Sequence, residues 1–170
     1  SKMQVAVPDT CFLINWLRYR NKEDIYKLYD FLAVPTIVID ELGSKRYLLA
    51  RWIAQDKISF IPRIHAYELE ALKIIEYAKA HNLPRIDPGE AYCLAVARYR
   101  NYDVLTDNKA AKIFASEVKE YRRVRVLDSL DVLVALYSPN IEILREAVTN
   151  YSEDTGLTFS ETRLRGYELA

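Results

Sequence analysis

The sequence predicts a three-layer α/β fold, with a mostly parallel five-stranded sheet flanked by helices. Short apolar segments rich in β-branched residues alternate along the chain with longer segments of helical periodicity. This alternation is typical of parallel sheets, whose successive strands are joined through helices. The chain has 170 residues, of which 51% are hydrophobic and 28% charged. That length and composition predict one globular domain with a substantial core.

Each predicted strand is an apolar run bounded by a proline, an acid or another turn-forming residue. The five predicted strands are residues 3–8, 32–35, 58–62, 103–106 and 123–127. Each predicted helix carries apolar residues at helical spacing, and several follow a residue that can cap the first turn. The predicted helices are residues 11–19, 22–31, 36–55, 66–81, 89–99, 109–116, 129–137 and 141–148. Gly43 lies inside the third helix and weakens its predicted continuity.

Pro139 marks the one predicted boundary in the chain. Residues 1–138 contain all five predicted strands, and residues 139–170 form a C-terminal helix and tail that would serve packing or oligomerisation. The tail, residues 151–170, is polar enough for disorder. We nevertheless expect it to dock, on its own domain or on a second copy, because ordered terminal segments are usually held by packing.

Charge and cysteine content restrict the class of protein. The formal net charge is zero and the pI is about 6.7, so any contact with a polyanion requires a local basic patch or a metal ion. Cys11 and Cys93 lie in apolar runs, and no secretion signal is recognisable, which predicts a reducing cytoplasm. No apolar stretch approaches the ~18 residues of a membrane span.

Four acids follow strands or open helices in well-separated parts of the sequence. They are Asp9, Glu41, Glu90 and Asp107. Ligands of parallel sheets bind at the carboxyl ends of the strands, where such acids could meet. Each acid alone also has a structural explanation. Asp9 and Asp107 are good helix caps, Asp87 and Glu90 fit a capping box, and Glu41 could be a solvated helix residue.

The segments that carry these acids resemble the PIN-domain family, which are metal-dependent nucleases of RNA. The family pattern is an apolar strand ending in Asp and Ser/Thr, a proline followed by an acid on the next helix, a Glu-Ala pair opening a helix, and a strand ending in Asp. The resemblance lies in "VAVPDTCFLINWL", "VPTIVIDELG", "DPGEAYCLAVARYRNYDVLTDNKAAKIFA" and "VRVLDSLDVLVAL", and spans residues 3–138. The matching residues are Asp9 with Thr10, Glu41, Glu90 with Ala91, and Asp107.

The resemblance implies the strand order 3-2-1-4-5 and an endoribonuclease that hydrolyses RNA phosphodiester bonds. Asp9, Glu41, Glu90 and Asp107 would be catalytic, with Asp9, Glu90 and Asp107 as metal ligands. Clustered carboxylates suit Mg²⁺ or Mn²⁺. His65 and His81 are too far apart to suggest zinc. The residues expected to support the site are Thr10, Thr106, Asn108 and Asp87, and Asp40 is a further candidate. Asn108 and Lys109 stand where many members carry a further acid, which puts a second metal in doubt.

Basic residues near the predicted site could contact RNA phosphates. Those expected to do so are Lys45, Arg46 and Lys109, with Arg51 nearby. A second basic cluster lies at Lys119, Arg122, Arg123 and Arg125. Both clusters could equally be solvated faces. The archaeal and bacterial branch that the sequence resembles includes toxins of toxin–antitoxin pairs, which implies an antitoxin-like partner and a possible homodimer.

Three other functions were weighed against the nuclease. A receiver domain would carry paired acids after its first strand and a lysine after its last, and a haloacid-dehalogenase-type phosphatase would carry D-x-D in place of "PDTCF". The remaining alternative is a PIN-like RNA-binding or assembly module with a weakened site. The presence of all four acids favours the enzyme.

Overall fold

The computed structural model describes residues 2–170, which form a five-stranded parallel sheet flanked by helices. The strands are β1 (Val5–Pro8), β2 (Phe31–Pro35), β3 (Ile58–Ile61), β4 (Asp103–Leu105) and β5 (Val126–Leu127). Their order in the sheet is β3-β2-β1-β4-β5, and every neighbouring pair is parallel. The predicted fold class and strand order are therefore confirmed. The first and last strands begin later than predicted.

Nine α-helices connect or follow the strands in residues 2–170. They are α1 (Thr10–Arg18), α2 (Thr36–Leu42), α3 (Ala50–Ala54), α4 (His65–Ala80), α5 (Pro88–Arg100), α6 (Lys109–Glu117), α7 (Ser129–Tyr137), α8 (Ile141–Thr155) and α9 (Glu161–Arg165). Three short 3₁₀ helices lie at Lys22–Lys27, Gly43–Leu49 and Lys119–Tyr121.

The helix predicted for residues 22–31 is wrong in type and in length. A 3₁₀ helix ends at Lys27, and the chain enters β2 at Phe31, which pairs with Val5 of β1. The apolar spacing that suggested an α-helix comes from Ile25 and Tyr29, which are both buried in the core. Packing against the core therefore produced a helix-like pattern in a segment that has to turn back into the sheet.

The helix predicted for residues 36–55 is also wrong, because it consists of three shorter segments. Gly43 has a φ of 55°, in the region that glycine adopts most readily, and ends α2. A 3₁₀ helix and the short α3 then follow. The break leaves Glu41 in the last turn of α2 rather than in the middle of a long rod, beside the start of α5.

The core surrounds β1 and α5. All four residues of β1 are buried, as expected for the central strand of a sheet covered on both sides. In α5 the consecutive residues 89–97 are all buried, and the helix lies against β1, α2, α4 and α6. A helix that is covered on all sides carries its first turn into the interior. Glu90 belongs to that turn.

The C-terminal segment packs on the rest of the chain. Helix α8 continues to Thr155, beyond the predicted end at 148, and its Tyr151 is fully buried among Trp16, Tyr19 and Phe159. Arg163 of α9 forms ion pairs with the α7 capping residues Asp128 and Asp131. The tail thus docks on its own domain. The division into residues 1–138 and 139–170 stays a prediction.

None of the helices in residues 2–170 combines the length and the apolar character that a membrane crossing requires.

We expect Tyr151→Ala to lower the free energy of unfolding by about 3–5 kcal/mol, because it deletes a buried aromatic ring and leaves a cavity. Ile143→Ala on the same helix is the matched control, since Ile143 is 48% exposed and should cost far less. Urea denaturation of both variants measures the difference. Equal, small losses would contradict the assignment of α8 to the core.

Candidate functional site

The candidate site lies at the carboxyl edge of the sheet, where β1 and β4 are neighbours. Pro8 at the end of β1 pairs with Leu105 at the end of β4, and the Asp9 N–H donates to the Leu105 carbonyl at 2.9 Å. The residues that follow the two strands therefore emerge side by side. Asp9 follows β1, and Thr106 and Asp107 follow β4. This arrangement agrees with the expectation that ligands bind beyond strand ends.

Asp9 is a buried carboxyl group with two donors, only 4% exposed. Its Oδ1 accepts the Phe12 N–H at 2.9 Å, which caps α1, and its Oδ2 accepts the Thr106 hydroxyl. Burial raises the pKa of Asp9 to about 6, although both hydrogen bonds oppose the increase, and the nearby Asp107 carboxylate adds to it. Asp9 therefore caps α1 and is also a carboxyl group that burial makes costly to ionise.

Glu90 is 3% exposed and does not form the predicted capping box. Asp87 caps α5 as predicted, accepting the Glu90 N–H at 2.9 Å, but no return bond from the Glu90 side chain is present. Instead Glu90 Oε1 accepts the Asn108 amide at 2.8 Å, and Oε2 has no donor. Burial, together with the Asp87 carboxylate, raises the pKa of Glu90 to about 8.

Asp107 is held by residues that the sequence reasoning did not single out. The Ser129 N–H and Ser129 hydroxyl both donate to its carboxylate at 2.8 Å, and Asn15 Nδ2 lies 3.5 Å from Oδ2. The Ser129 Oγ also lies 2.7 Å from the Tyr151 hydroxyl. Because Ser129 gives its only hydroxyl proton to Asp107, Tyr151 must be the donor to Ser129. The C-terminal segment thereby reaches the candidate site.

The alternative explanation of Asp107, that it caps the following helix, is wrong because Asn108 caps α6. Asn108 Oδ1 accepts the Ala110 N–H at 2.9 Å while its amide donates to Glu90. The Thr106 hydroxyl accepts the Asn108 N–H at 3.1 Å and donates to Asp9. One chain of hydrogen bonds therefore links Asp9, Thr106, Asn108 and Glu90. Burial raises the pKa of Asp107 above its usual range despite the Ser129 donors.

Glu41 approaches the site from α2, and Gly89 makes room for it. The Thr10 hydroxyl donates to Glu41 Oε1 at 3.1 Å. A Cβ at residue 89 would lie 2.4 Å from the same oxygen, so only glycine lets the carboxylate lie against the first turn of α5. Partial burial raises the pKa of Glu41, and the Asp87 carboxylate contributes. Gly89 is a position that sequence reasoning missed.

The acids gather without any compensating positive charge. In residues 2–170 the basic residues that form ion pairs do so with other acids, such as Asp40 with Arg63 and Asp103 with Arg125. None of these pairs involves Asp9, Glu41, Asp87, Glu90 or Asp107. Buried acids are normally paired, so this cluster is unusual. The raised pKa values of Asp9, Glu41, Glu90 and Asp107 express the resulting cost.

The oxygen atoms that the site offers as metal ligands are chemically suited to a hard cation. All are carboxylate, hydroxyl or amide oxygens, which Mg²⁺ and Mn²⁺ prefer, and the buried Glu90 Oε2 has no hydrogen-bond partner. Their positions fit it less completely. Across residues 2–170, no three His, Cys, Asp or Glu side chains converge closely enough to enclose an ion. Asp9, Asp107 and Glu41 are held by Thr106, Ser129 and Thr10, so the carboxylates would have to rotate.

Other residues from the sequence prediction lie around this cluster or away from it. Asp40 points to Arg63, and its side chain is 54% exposed. Lys45, Arg46 and Lys109 are exposed, and Lys109 directly follows the cap of α6. Arg125, from the second basic cluster, pairs with Asp103 at the opposite edge of the sheet. Ser129 could have been found, since it follows β5 by the same strand-end rule.

Comparisons with known proteins agree with the fold. No family model and no curated protein matches the sequence. Among solved structures, VapBC2 from Rickettsia felis bound to a promoter DNA fragment aligns with a TM-score of 0.56 at 12% identity, over 74% of this chain and 98% of that one. A toxin–antitoxin complex from Klebsiella pneumoniae gives a TM-score of 0.51 at 17% identity, over 72% and 95%.

FitAcB from Neisseria gonorrhoeae gives a TM-score of 0.50 at 20% identity, over 72% of this chain and 96% of that one. These neighbours are PIN-domain toxin structures of the VapC and FitB type. At such low identity the similarity concerns the fold. The predicted resemblance is confirmed at that level, and the chain has the PIN-domain fold.

We expect the metal-free protein to lose stability as pH rises, and Asp9→Asn to remove part of that loss. The pKa of Asp9 is about 6 in the folded protein, above the usual 3.8 of an aspartate in an unfolded chain, so the folded protein binds more protons between these two pH values. The contribution of the protonated Asp9 to the free energy of unfolding is therefore lost as pH rises through that range. Relative to wild type, the free energy of unfolding of Asp9→Asn should therefore increase by about 2 kcal/mol between pH 4 and pH 8.

Urea denaturation in EDTA at the two pH values measures this effect. The exposed Asp40→Asn is the matched control and should show no such growth. Parallel pH dependence of wild type and Asp9→Asn would contradict the burial argument.

We expect Gly89→Ala to fold but to displace the Glu41 carboxylate, and so to weaken several-fold whatever affinity the acids have for a divalent cation. The added methyl displaces Glu41, whereas the helix gains up to about 1 kcal/mol from alanine propensity. Calorimetric titration with Mn²⁺ measures the affinity. In a Glu41→Ala background the same change should have little further effect, and an equal loss there would show that Gly89 does not act through Glu41.

Proposed function

We propose, on the premise of the PIN-domain fold, that this chain is a metal-dependent endoribonuclease that hydrolyses RNA phosphodiester bonds at the carboxyl edge of its sheet. The observation that carries the proposal is a cluster of acids with no basic partner, in which Asp9 and Glu90 are buried. Maintaining such a cluster is costly, and the cost is understandable where a cation is to be bound.

The acids have distinct roles in this proposal. Asp9, Glu90 and Asp107 are the ligands, and Glu41 completes or orients the set from α2. Thr106 holds Asp9, Asn108 holds Glu90, and Thr10 holds Glu41. Asp87 caps α5 and adds negative charge beside Glu90. Mg²⁺ or Mn²⁺, when bound, would neutralise these carboxylates and supply the positive charge that stabilises the transition state of phosphodiester hydrolysis.

The protonation of Glu90 links activity to pH. Burial and the neighbouring Asp87 carboxylate raise its pKa, which favours the protonated form in the metal-free protein. A carboxyl group must be ionised to act as a ligand, so binding of a cation to Glu90 releases a proton. The unpartnered Oε2 is the atom available for that contact.

Basic residues around the acids supply contacts to the substrate backbone. Lys109 follows the Asn108 cap, and Lys45 and Arg46 follow α2, and all three are exposed. Phosphate contacts of this kind position the RNA without reading its sequence. With no net charge on the chain, such local contacts have to carry the attraction.

The alternative is an RNA-binding module with a weakened site, and one observation favours it. Both oxygens of Asp9 and both oxygens of Asp107 already accept hydrogen bonds from the protein. Those bonds hold the acids in positions where, within residues 2–170, no three of them converge on one point. This alternative gives RNA binding without cleavage.

The proposal extends to partners. The neighbouring structures include a toxin–antitoxin complex, and VapBC2 is bound to a promoter DNA fragment. An antitoxin-like protein is therefore the proposed regulator of this chain, and a homodimer is the proposed assembly. Light scattering of the purified chain tests the dimer.

We expect wild-type protein to cut labelled single-stranded RNA with Mn²⁺ or Mg²⁺ and not with EDTA. Asp9→Asn and Asp107→Asn should lower the rate at least about a hundredfold, because each removes a ligand charge from the transition state. Gel analysis of the products under single-turnover conditions gives the rates.

Asp40→Asn is again the control, because it changes the same charge beside Glu41 but faces Arg63. It should cut within about twofold of wild type, like most surface substitutions. Cleavage that survives both site variants would contradict the assignment. Binding of Mn²⁺ without cleavage would instead favour the RNA-binding module.

A further inference from the structure

A groove beside the acids has no role in the function proposed so far. It lies between the last turns of α4 and the loop that leads to α5, and its volume is about 620 Å³. Its apolar lining comes from Ile75, Ala78, Leu83 and Ile86, of which Ile75 and Leu83 are partly exposed. A cavity of this size, apolar with a few polar groups, is typical of sites for one small-molecule-sized group.

Two cations and one amide line the same groove, and no acid does. The cations are Lys79 and Arg85, and the amide is Asn82. In residues 2–170 the ion pairs are made by other basic residues, so neither cation has an acidic partner. The groove therefore offers uncompensated positive charge above an apolar floor. This complements a ligand with a planar apolar group and a negative backbone.

The groove reaches the start of α5, the helix that carries Glu90. Ile86 and Pro88 line it, and Asp87, which lies between them, caps α5 and faces Glu90. An RNA strand with a phosphate at the acids has to continue across the neighbouring surface. The groove ends at Pro88, two residues before Glu90, and is therefore a candidate for that surface.

We propose that the groove binds a nucleotide next to the cleaved phosphate, with the base against Ile75 and Leu83 and the flanking phosphates at Lys79 and Arg85. Arg85 can contact phosphate oxygens in a bidentate way, and Asn82 can hydrogen-bond a base edge. This inference rests on the proposed function, because it names a substrate subsite of the same site.

An acidic peptide is the other ligand with negative charge, and the shape of the groove disfavours it. A bound helix needs a long channel with anchors on successive turns. The groove spans one turn of α4, residues 75–79, and a short loop, residues 82–88. One nucleotide fits that extent better than a peptide helix does.

The test measures binding of a fluorescein-labelled single-stranded RNA to the full chain carrying Asp9→Asn, in EDTA, so that no strand is cut. Lys79→Glu and Arg85→Glu are each expected to weaken binding about tenfold and to reduce the slope of log K against log salt by about 0.7. Lys73→Glu, on the exposed face of α4 outside the groove, is the matched control and should change the affinity less than twofold.

Unchanged binding in both groove variants, an equal loss in Lys73→Glu, or no detectable RNA binding would overturn the inference. The inference would also be overturned if poly-glutamate displaced the RNA and if the binding of poly-glutamate were itself lost in the groove variants. Failure of the proposed function has a different signature. If the groove variants lose RNA while wild type cuts nothing with any metal, the subsite stands and hydrolysis falls. If wild type cuts and the groove variants bind normally, the reverse holds.

Discussion

The parallel pairing of β1 with β4 is the contact on which the candidate site depends. It joins the first strand of the chain to the fourth, and the bond from Asp9 N–H to the Leu105 carbonyl fixes how the two ends meet. Asp9 and Thr106 then come within hydrogen-bond distance, and Asp107 lies near enough to raise the pKa of Asp9. Parallel pairing of distant segments is costly in chain entropy, so the surrounding core must stabilise it.

The core supplies that stabilisation close to the acids. Residues 89–97 of helix α5 are all buried. Most of their side chains are small or aliphatic, which lets the helix lie directly against β1. The same burial removes water from Glu90 and Asp9 and makes their ionisation costly. Stability and the chemistry of the site are therefore opposed within one helix. Such conflicts are common where a fold carries a functional site.

The C-terminal segment takes part in this arrangement as well as in packing. Tyr151 of α8 is buried among aromatic rings and donates to Ser129, which in turn holds Asp107 with two hydrogen bonds. Arg163 fixes the start of α7 through Asp128.

The sequence by itself determined the sheet and the identity of the acids. Alternating periodicities predict five strands and their helices, and the spacing of Asp9, Glu41, Glu90 and Asp107 resembles a known family. Both signals can be read from the sequence because they are local and short. Only the tertiary structure decided what each acid contacts. Glu90 looked like half of a capping box, yet it bonds Asn108, and Asp107 looked like a cap, yet it bonds Ser129.

The physical reason is that a cap requires only a neighbour along the chain, whereas these contacts depend on which elements pack together. The same limit explains the false helix at residues 22–31, where core packing imitated helical spacing, and the missed Gly89, whose importance comes from a carboxylate on another helix. Lys79 and Arg85 lie at the end of a helix and in a loop, and no local pattern distinguishes them from solvated charges. Their shared groove exists only in the folded chain.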